Sequence, residues 1–348
     1  MSISPHRGPL LGLALILCCT SFCAVALAET RVGGSIDTDT VWNKSGSPYI
    51  AYSDIVVEKG VTLSIEKGVT VRFKKDVNDQ HGKNAFDLEL LVRGTLEATG
   101  AEGDTIQFTS DASRPTWFDW QGIVVDGEDA VARLEGVRVE YANQGILVED
   151  GRLEGKTLTV QRCSQQGILI VRGEGVLDNL YQTEIGNTGG TGIGVWLDRN
   201  AQVEIKNSYL VGVQNGISFS RGAGGSIHHS VVSLCVGNGI MIRGSVSRTE
   251  VYNCSITGNE YGFSLSGGAT PNIHHNNIFK NGVSDIWFRE YTADTPVKVD
   301  LSNNWWEFTD IGLIEERIVD GINDPTIKAF AILEPFLTDA VSTDSERP

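Results

Sequence analysis

Proline and methionine are scarce in this chain, 9 and 2 of 348 residues. With 21% charged and 41% hydrophobic residues the composition is globular, neither disordered nor collagen-like. Positive charge is also in short supply: Lys and Arg total 28 against 44 Asp and Glu, a net −16. Such a surface repels phosphate backbones, so no nucleic-acid partner is expected. Six cysteines are present, but Cys18, Cys19 and Cys23 fall within an N-terminal apolar segment. Cys163, Cys235 and Cys254 remain, an odd set without CxxC spacing. That speaks against a disulfide framework or a zinc knuckle and for small buried hydrophobes. Beyond the N-terminus no apolar run is long enough to span a bilayer as a helix.

Residues 1–28 have the layout of an export signal. His6 and Arg7 precede the apolar run Leu10–Val25, and Ala26-Leu27-Ala28 is an A-x-A cleavage site. Phe22 before Cys23 does not fit a lipid-anchor site. The expected organisation is a signal peptide over 1–28, one domain over 29–338, and a flexible tail over 339–348. The mature protein is expected in the periplasm or outside the cell, without a transmembrane segment.

What the chain has in excess is glycine, 40 residues. That favours tight turns between short strands over helix bundles. Glycine followed by alternating apolar residues recurs as GIVV at Gly122, GILV at Gly145, GILI at Gly167 and GIGV at Gly192. It continues as GISF at Gly216, GIMI at Gly239 and GFSL at Gly262, and DIWF at Asp285 is a copy lacking the glycine. The spacings are 23, 22, 25, 24, 23, 23 and 23 residues. Period-2 alternation marks a strand. Further strands are expected around Ile205, Ile227, Val251 and Ile273, then at Tyr209, Val232, Ile256 and Ile278. Three short strands per repeat make one coil of a parallel β-solenoid, whose inner face is buried only by stacking. No Leu-x-x-Leu-x-Leu pattern supports a leucine-rich repeat.

GNGIMI, NCSITGNEYGFSL and NNIFKNG resemble right-handed parallel β-helix repeats of the pectin-lyase type. VVEKGVTLSIEKGVTVRF from Val56 is similar to the opening coils of secreted bacterial and archaeal members. NNWW at Asn303 resembles their closing Asn-x-Trp-Gly signature, with Glu307 standing where that has glycine. The resemblance covers roughly residues 36–338 and implies an all-β, right-handed parallel β-helix of about ten to twelve coils. Residues 30–55 are expected to cap its front. A short helix with Ile311, Ile314 and Ile318 on one face is expected to cap its back. Because this fold hosts lyases, hydrolases, adhesins and inert scaffolds, it does not specify an activity.

Stacking turns the sequence into columns that can be tested for chemistry. Asp126 and Glu149, four residues after their glycines on adjacent coils, form a candidate acid pair or calcium site. The alternative is two solvated acids. VWLDR at Val195 is similar to a pectate-lyase signature and adds Asp198 as a third catalytic candidate, with Arg199 where that family has histidine. Arg172, Arg199, Arg221, Arg243 and Arg289, with Trp196 and Trp287, form a candidate polysaccharide groove, since guanidinium forks bind carboxylates and aromatic faces stack on sugars. His228 and His274 stand two coils apart, about 9.6 Å, too far to share one metal ion. His229 and His275 are expected in a stacked turn ladder with Asn207 and Asn253. Val124, Leu147, Leu169 and Met241 form an outward apolar strip expected to be covered by the chain's own ends, the alternative being a partner.

Three function classes follow. The leading one is an exported, non-catalytic scaffold or glycan-binding protein, with an acidic polysaccharide or cell-envelope component as partner. A polysaccharide lyase or glycoside hydrolase is second, and a periplasmic metal or assembly accessory protein third. No cofactor is evident apart from the calcium option, and no Asp-Asp pair of the polygalacturonase kind occurs.

Overall fold

The computed structural model describes residues 1, 29–77, 81–186, 192–244, 248–292 and 295–343. The segment expected as a signal therefore lies outside the described residues, Met1 excepted. Alternating apolar residues fold into short strands that pair in parallel with the next coil, and among the described residues no strand of a coil pairs with another strand of that coil. The repeat-glycine face runs through 34–36, 55–57, Glu89–Val92, Gly122–Asp126, Gln144–Glu149, Gln166–Val171, Ile193–Asp198, Asn215–Ser220, Asn238–Arg243, Tyr261–Ser266, Ser284–Arg289 and Ile318–Val319. That is twelve rungs among the described residues. A second face carries Gln202–Lys206, Gly224–His228, Thr249–Tyr252 and Asn272–His274. A third carries Tyr209–Val211, Val231–Ser233, Ser255–Thr257 and Asn277–Phe279.

Inside the coils, like residues stack on like. Ile146, Ile168, Val195, Ile217, Ile240, Phe263 and Ile286 form one fully buried column. The repeat glycine is needed for close approach between coils. A Cβ on Gly145 would lie 2.5 Å from the Gly167 carbonyl oxygen, and one on Gly216 would lie 2.3 Å from that of Gly239. The register also corrects one anchor. Gly194, not Gly192, continues the column, because Val195 pairs with Ile168 and Ile217. The extra residues lie before that strand, so Trp196 and Asp198 each stand two offsets closer to the repeat glycine than expected.

At the bend between the second and third faces, Asn207, His229, Asn253, His275 and Asn303 all take φ between 49° and 57°, the left-handed region. Asparagine adopts this conformation at little cost. The hydrogen-bonded ladder expected of this column stands one residue later. Asn276 Oδ1 accepts from Cys254 N (3.0 Å), and Asn304 Oδ1 accepts from Asn276 N (3.0 Å). Asn276 and Asn304 are fully buried and satisfy carbonyls that the sharp bend leaves unpaired, as such groups require.

The two ends differ in detail from expectation. Thr30–Ile36 pairs with Tyr49–Val57, so the N-terminal cap is itself the first coil. At the back, the helix spans Ile311–Glu315 only, capped by Asp310 and burying Ile314. Ile318 belongs to a two-residue strand that extends the repeat-glycine face, so Ile311, Ile314 and Ile318 do not share one helix. Val297–Asp300 and Ala329–Ile332 pair in a separate small sheet. Glu307 adopts φ 71°, which preserves the turn without glycine. The expected tail is attached at its start, where Val341 N donates to Asn277 Oδ1 and its carbonyl accepts from Asn277 Nδ2, both 2.8 Å. Residues 344–348 lie outside the described residues. Among the described residues no helix is long and apolar enough to cross a membrane.

Candidate functional site

The repeat-glycine face points one column outward from each strand centre. Val124, Leu147, Leu169, Trp196, Ser218, Met241, Ser264 and Trp287 occupy it in register. The apolar strip and both candidate tryptophans are thus one column. Among the described residues its first part is covered by an internal segment and not by the chain's ends. Residues 81–88 lie over it: Gly82 N donates to Asp54 Oδ2 (2.8 Å), and Asn84 Nδ2 donates to Gln121 Oε1 (2.7 Å). Val56, Leu91 and Val124 are buried there, with Leu147 partly so. Beyond this cover, Leu169, Trp196, Met241 and Trp287 are half-buried.

Two places further along each strand, Asp126, Glu149, Asp198, Arg243 and Arg289 share a column with Val171, Ser220 and Ser266. The three candidate catalytic carboxylates are therefore aligned, but Asp198 stands two rungs from Glu149. Asp126 and Glu149 are bridged by Lys83: its Nζ lies 2.8 Å from Asp126 Oδ1 and also donates to Glu149. Although burial works against the ammonium, both carboxylates together raise its pKa. The cation offsets the repulsion that would have created an acid–base pair, and it stands where a calcium ion would bind. Among the described residues no group of three or more His, Cys, Asp or Glu is placed to hold a metal ion.

Asp198 is only 4% exposed at its side chain. Arg221 Nε donates to its Oδ1 at 2.6 Å and a terminal nitrogen donates to Oδ2. Ser220 Oγ donates to Oδ1 at 2.8 Å and accepts from Trp196 Nε1 at 2.9 Å. Burial opposes the charge, but these donors hold the carboxyl below its ordinary pKa. A carboxylate held ionised in this way is a structural anion, unsuited to general acid work.

The arginines divide between two columns. Arg172, Arg199 and Arg221 sit one residue past the strand, at left-handed bends with φ from 50° to 58°. Arg172 forks onto Asp150 at 2.6 and 2.8 Å. Arg243 lies 3.9 Å from Glu290. Among the described residues Arg199 approaches only Asp198, at 3.8 Å, a carboxylate already held by Arg221. The guanidinium of Arg289 lies over the Trp287 ring at 4.4 Å, and Tyr261 stacks on the same ring at 4.4 Å. Trp287 is thus engaged within the protein. No ring contact of Trp196 occurs among the described residues.

Two constellations carried no clear sequence signal. Asp54 and Glu89 are buried acids under residues 81–88; Glu89 N donates to Asp54 Oδ1 at 2.9 Å, and the Glu89 carboxylate accepts from Lys83 N. Burial, against the Lys83 hydrogen bond and with the nearby Asp54 charge, pushes the Glu89 carboxyl up to about 7. Only the fold brings the two together, across neighbouring rungs. On the second face an open groove of about 1030 Å³ is lined by Glu204, Ser226, Arg248, Glu250 and Asn272. Beside it His228 stacks on Tyr252 (4.9 Å, 15°), and Tyr252 on His274 (5.6 Å, 8°). The rings share a column readable from the repeat, whereas Glu204 and Glu250 precede Lys206 and Tyr252 in the alternate coils and meet the histidines only through the stacking.

Residues 121–305 match the family described as the right handed beta helix region. No curated protein and no solved structure matches the chain.

Proposed function

The chain belongs to the right-handed β-helix family, and from that premise we propose an exported, non-catalytic scaffold that binds polysaccharide along its repeat-glycine face. One observation carries this reading. Past residues 81–88 the outward column remains half-open, with Leu169, Trp196, Met241 and Trp287 in line along a rigid sheet. Trp196 and Trp287 stand four rungs apart, about 19 Å at the usual strand spacing. Such a flat, regularly spaced surface suits an extended polymer better than a compact ligand. Among the described residues Arg289 pairs with no carboxylate and Arg199 only shares Asp198 with Arg221, and these two guanidiniums supply the contact for an acidic sugar. Catalysis is disfavoured because Asp126, Glu149 and Asp198 all carry cation partners.

Native electrophoresis of the protein through gels cast with acidic and neutral polysaccharides tests the reading. Retardation above an intact, stainable polymer is expected. A cleared zone, or no retardation across the panel, would overturn it.

A further inference from the structure

On the second face one arrangement occurs twice, and the polysaccharide reading makes no use of it. His228 Nδ1 lies 2.9 Å from His229 Nδ1, and His274 Nδ1 lies 2.9 Å from His275 Nδ1. In both pairs the rings are nearly perpendicular, at 86° and 87°. The same outer partner recurs too: Glu204 Oε1 lies 3.1 Å from His228 Nε2, and Glu250 Oε1 lies 3.2 Å from His274 Nε2.

We propose that each histidine pair is a chelating site for a divalent transition ion of tetragonal preference, of the Ni²⁺ or Cu²⁺ kind. Carboxylates accept only, so Glu204 and Glu250 fix the proton of His228 and His274 on Nε2. The Nδ1 lone pair of each then faces its neighbour's Nδ1, which carries the shared proton when no ion is bound. A carboxylate behind a ligating imidazole is the usual orienting device at metal centres.

The 2.9 Å separation selects the ion. Two nitrogens that far apart, each about 2.05 Å from a common ion, subtend about 90°, whereas a tetrahedral centre needs them about 3.3 Å apart. Right-angle nitrogen ligation belongs to square-planar and tetragonal ions, not to Zn²⁺. The ion takes the place of the single proton between the two nitrogens. That proton moves to Nε2 of His229 or His275, so both ligating imidazoles stay neutral, and at His229 the side-chain amide of Asn253, 3.3 Å away, turns its oxygen toward the new N–H. Water completes the coordination.

The pairs are held ready by the fold. His228 and His274 are clamped in the ring stack with Tyr252. His229 and His275 occupy left-handed bends at φ 49° and 54°, which aim each ring back at the preceding histidine. His275 is exposed and His229 partly so, and it is this ring of each pair that turns to bring both lone pairs onto one ion. The distance across the two pairs, two rungs, keeps them independent.

The test counts ions. The same bend column carries Asn207, Asn253 and Asn303, so His229→Asn and His275→Asn keep its backbone geometry. Isothermal titration of the full chain with Ni²⁺ alone, at neutral pH and without chelating buffer, is compared with Zn²⁺. The wild type is expected to bind two more equivalents of Ni²⁺ than the double variant, one lost with each single change, and to bind Zn²⁺ at least tenfold more weakly. Circular dichroism confirms that each variant is folded. A loss of fewer than two equivalents in the folded double variant, or a preference for Zn²⁺, would overturn the assignment.

Discussion

Arg221 grips Asp198 from the neighbouring coil, Nε to Oδ1 at 2.6 Å, and the carboxylate it holds is almost wholly buried. The pair converts the most enzyme-like motif of the chain into part of the frame. It also makes a pH prediction with a definite sign. A carboxyl held below its ordinary pKa contributes stability that is present above about pH 4 and is lost as pH falls through the folded value. The stability gap between wild type and Asp198→Asn is therefore expected to be constant from pH 7 to 5 and to narrow below that. Urea melts between pH 7 and 2.5 measure it; a gap unchanged to the lowest pH refutes the account.

Glu89 carries the opposite sign. Its folded pKa of about 7 lies above the ordinary 4.5, so the folded state holds a proton that the unfolded chain releases. Stability is expected to fall as pH rises between those two values and to be flat above them, by on the order of 3 kcal/mol from this residue. Glu89→Gln, whose amide oxygen still accepts from Lys83 N, should remove that slope. Equal slopes for wild type and variant between pH 5 and 8 would show that the acid is not buried as described.

Asn276 holds the coils together at the bend. Its Nδ2 donates to Val251 O at 2.8 Å and to Asn304 Oδ1 at 3.0 Å, while its Oδ1 accepts from Cys254 N. Asn276→Ala leaves buried donors and acceptors unpaired, at about 1–3 kcal/mol for each group. A total loss of about 3 kcal/mol or more is expected in equilibrium denaturation. A cost below 1 kcal/mol would mean that water or a shifted backbone takes over the ladder.

Trp196 tests the polysaccharide face. Its indole N–H is tied to Ser220, and its ring is half-buried in the outward column. Trp196→Ala is expected to weaken polysaccharide retardation about tenfold, equivalent to 1.4 kcal/mol. Trp287→Ala should cost less, because Tyr261 and Arg289 already occupy that ring. Equal retardation of wild type and Trp196→Ala would remove this face from consideration.

The repeat was legible because strand alternation and the close approach at glycine recur at nearly fixed spacing. Columns could therefore be aligned from sequence alone, and Asp126 beside Glu149 came out in register. Where the spacing broke, the alignment slipped: the longer coil before Ile193–Asp198 hid that Gly194 is the true repeat glycine. The histidine bend shows the same limit at a scale of one residue. Asn207, His229, Asn253 and His275 were recognisable as a turn column, but the ladder belongs to Asn276 and Asn304, whose side chains point inward.

The sequence by itself determined the coil, since a period of about 23 residues with alternating apolar positions buries its inner face only by stacking on copies of itself. Only the tertiary structure decided which charges are free. Lys83 reaches Asp126 and Glu149 from 43 and 66 residues away, and Arg221 reaches Asp198 from the next coil. Such pairings depend on where a non-repeating segment such as 81–88 folds back and on side-chain direction at a bend. Neither follows the period of the repeat, so neither could be read from it.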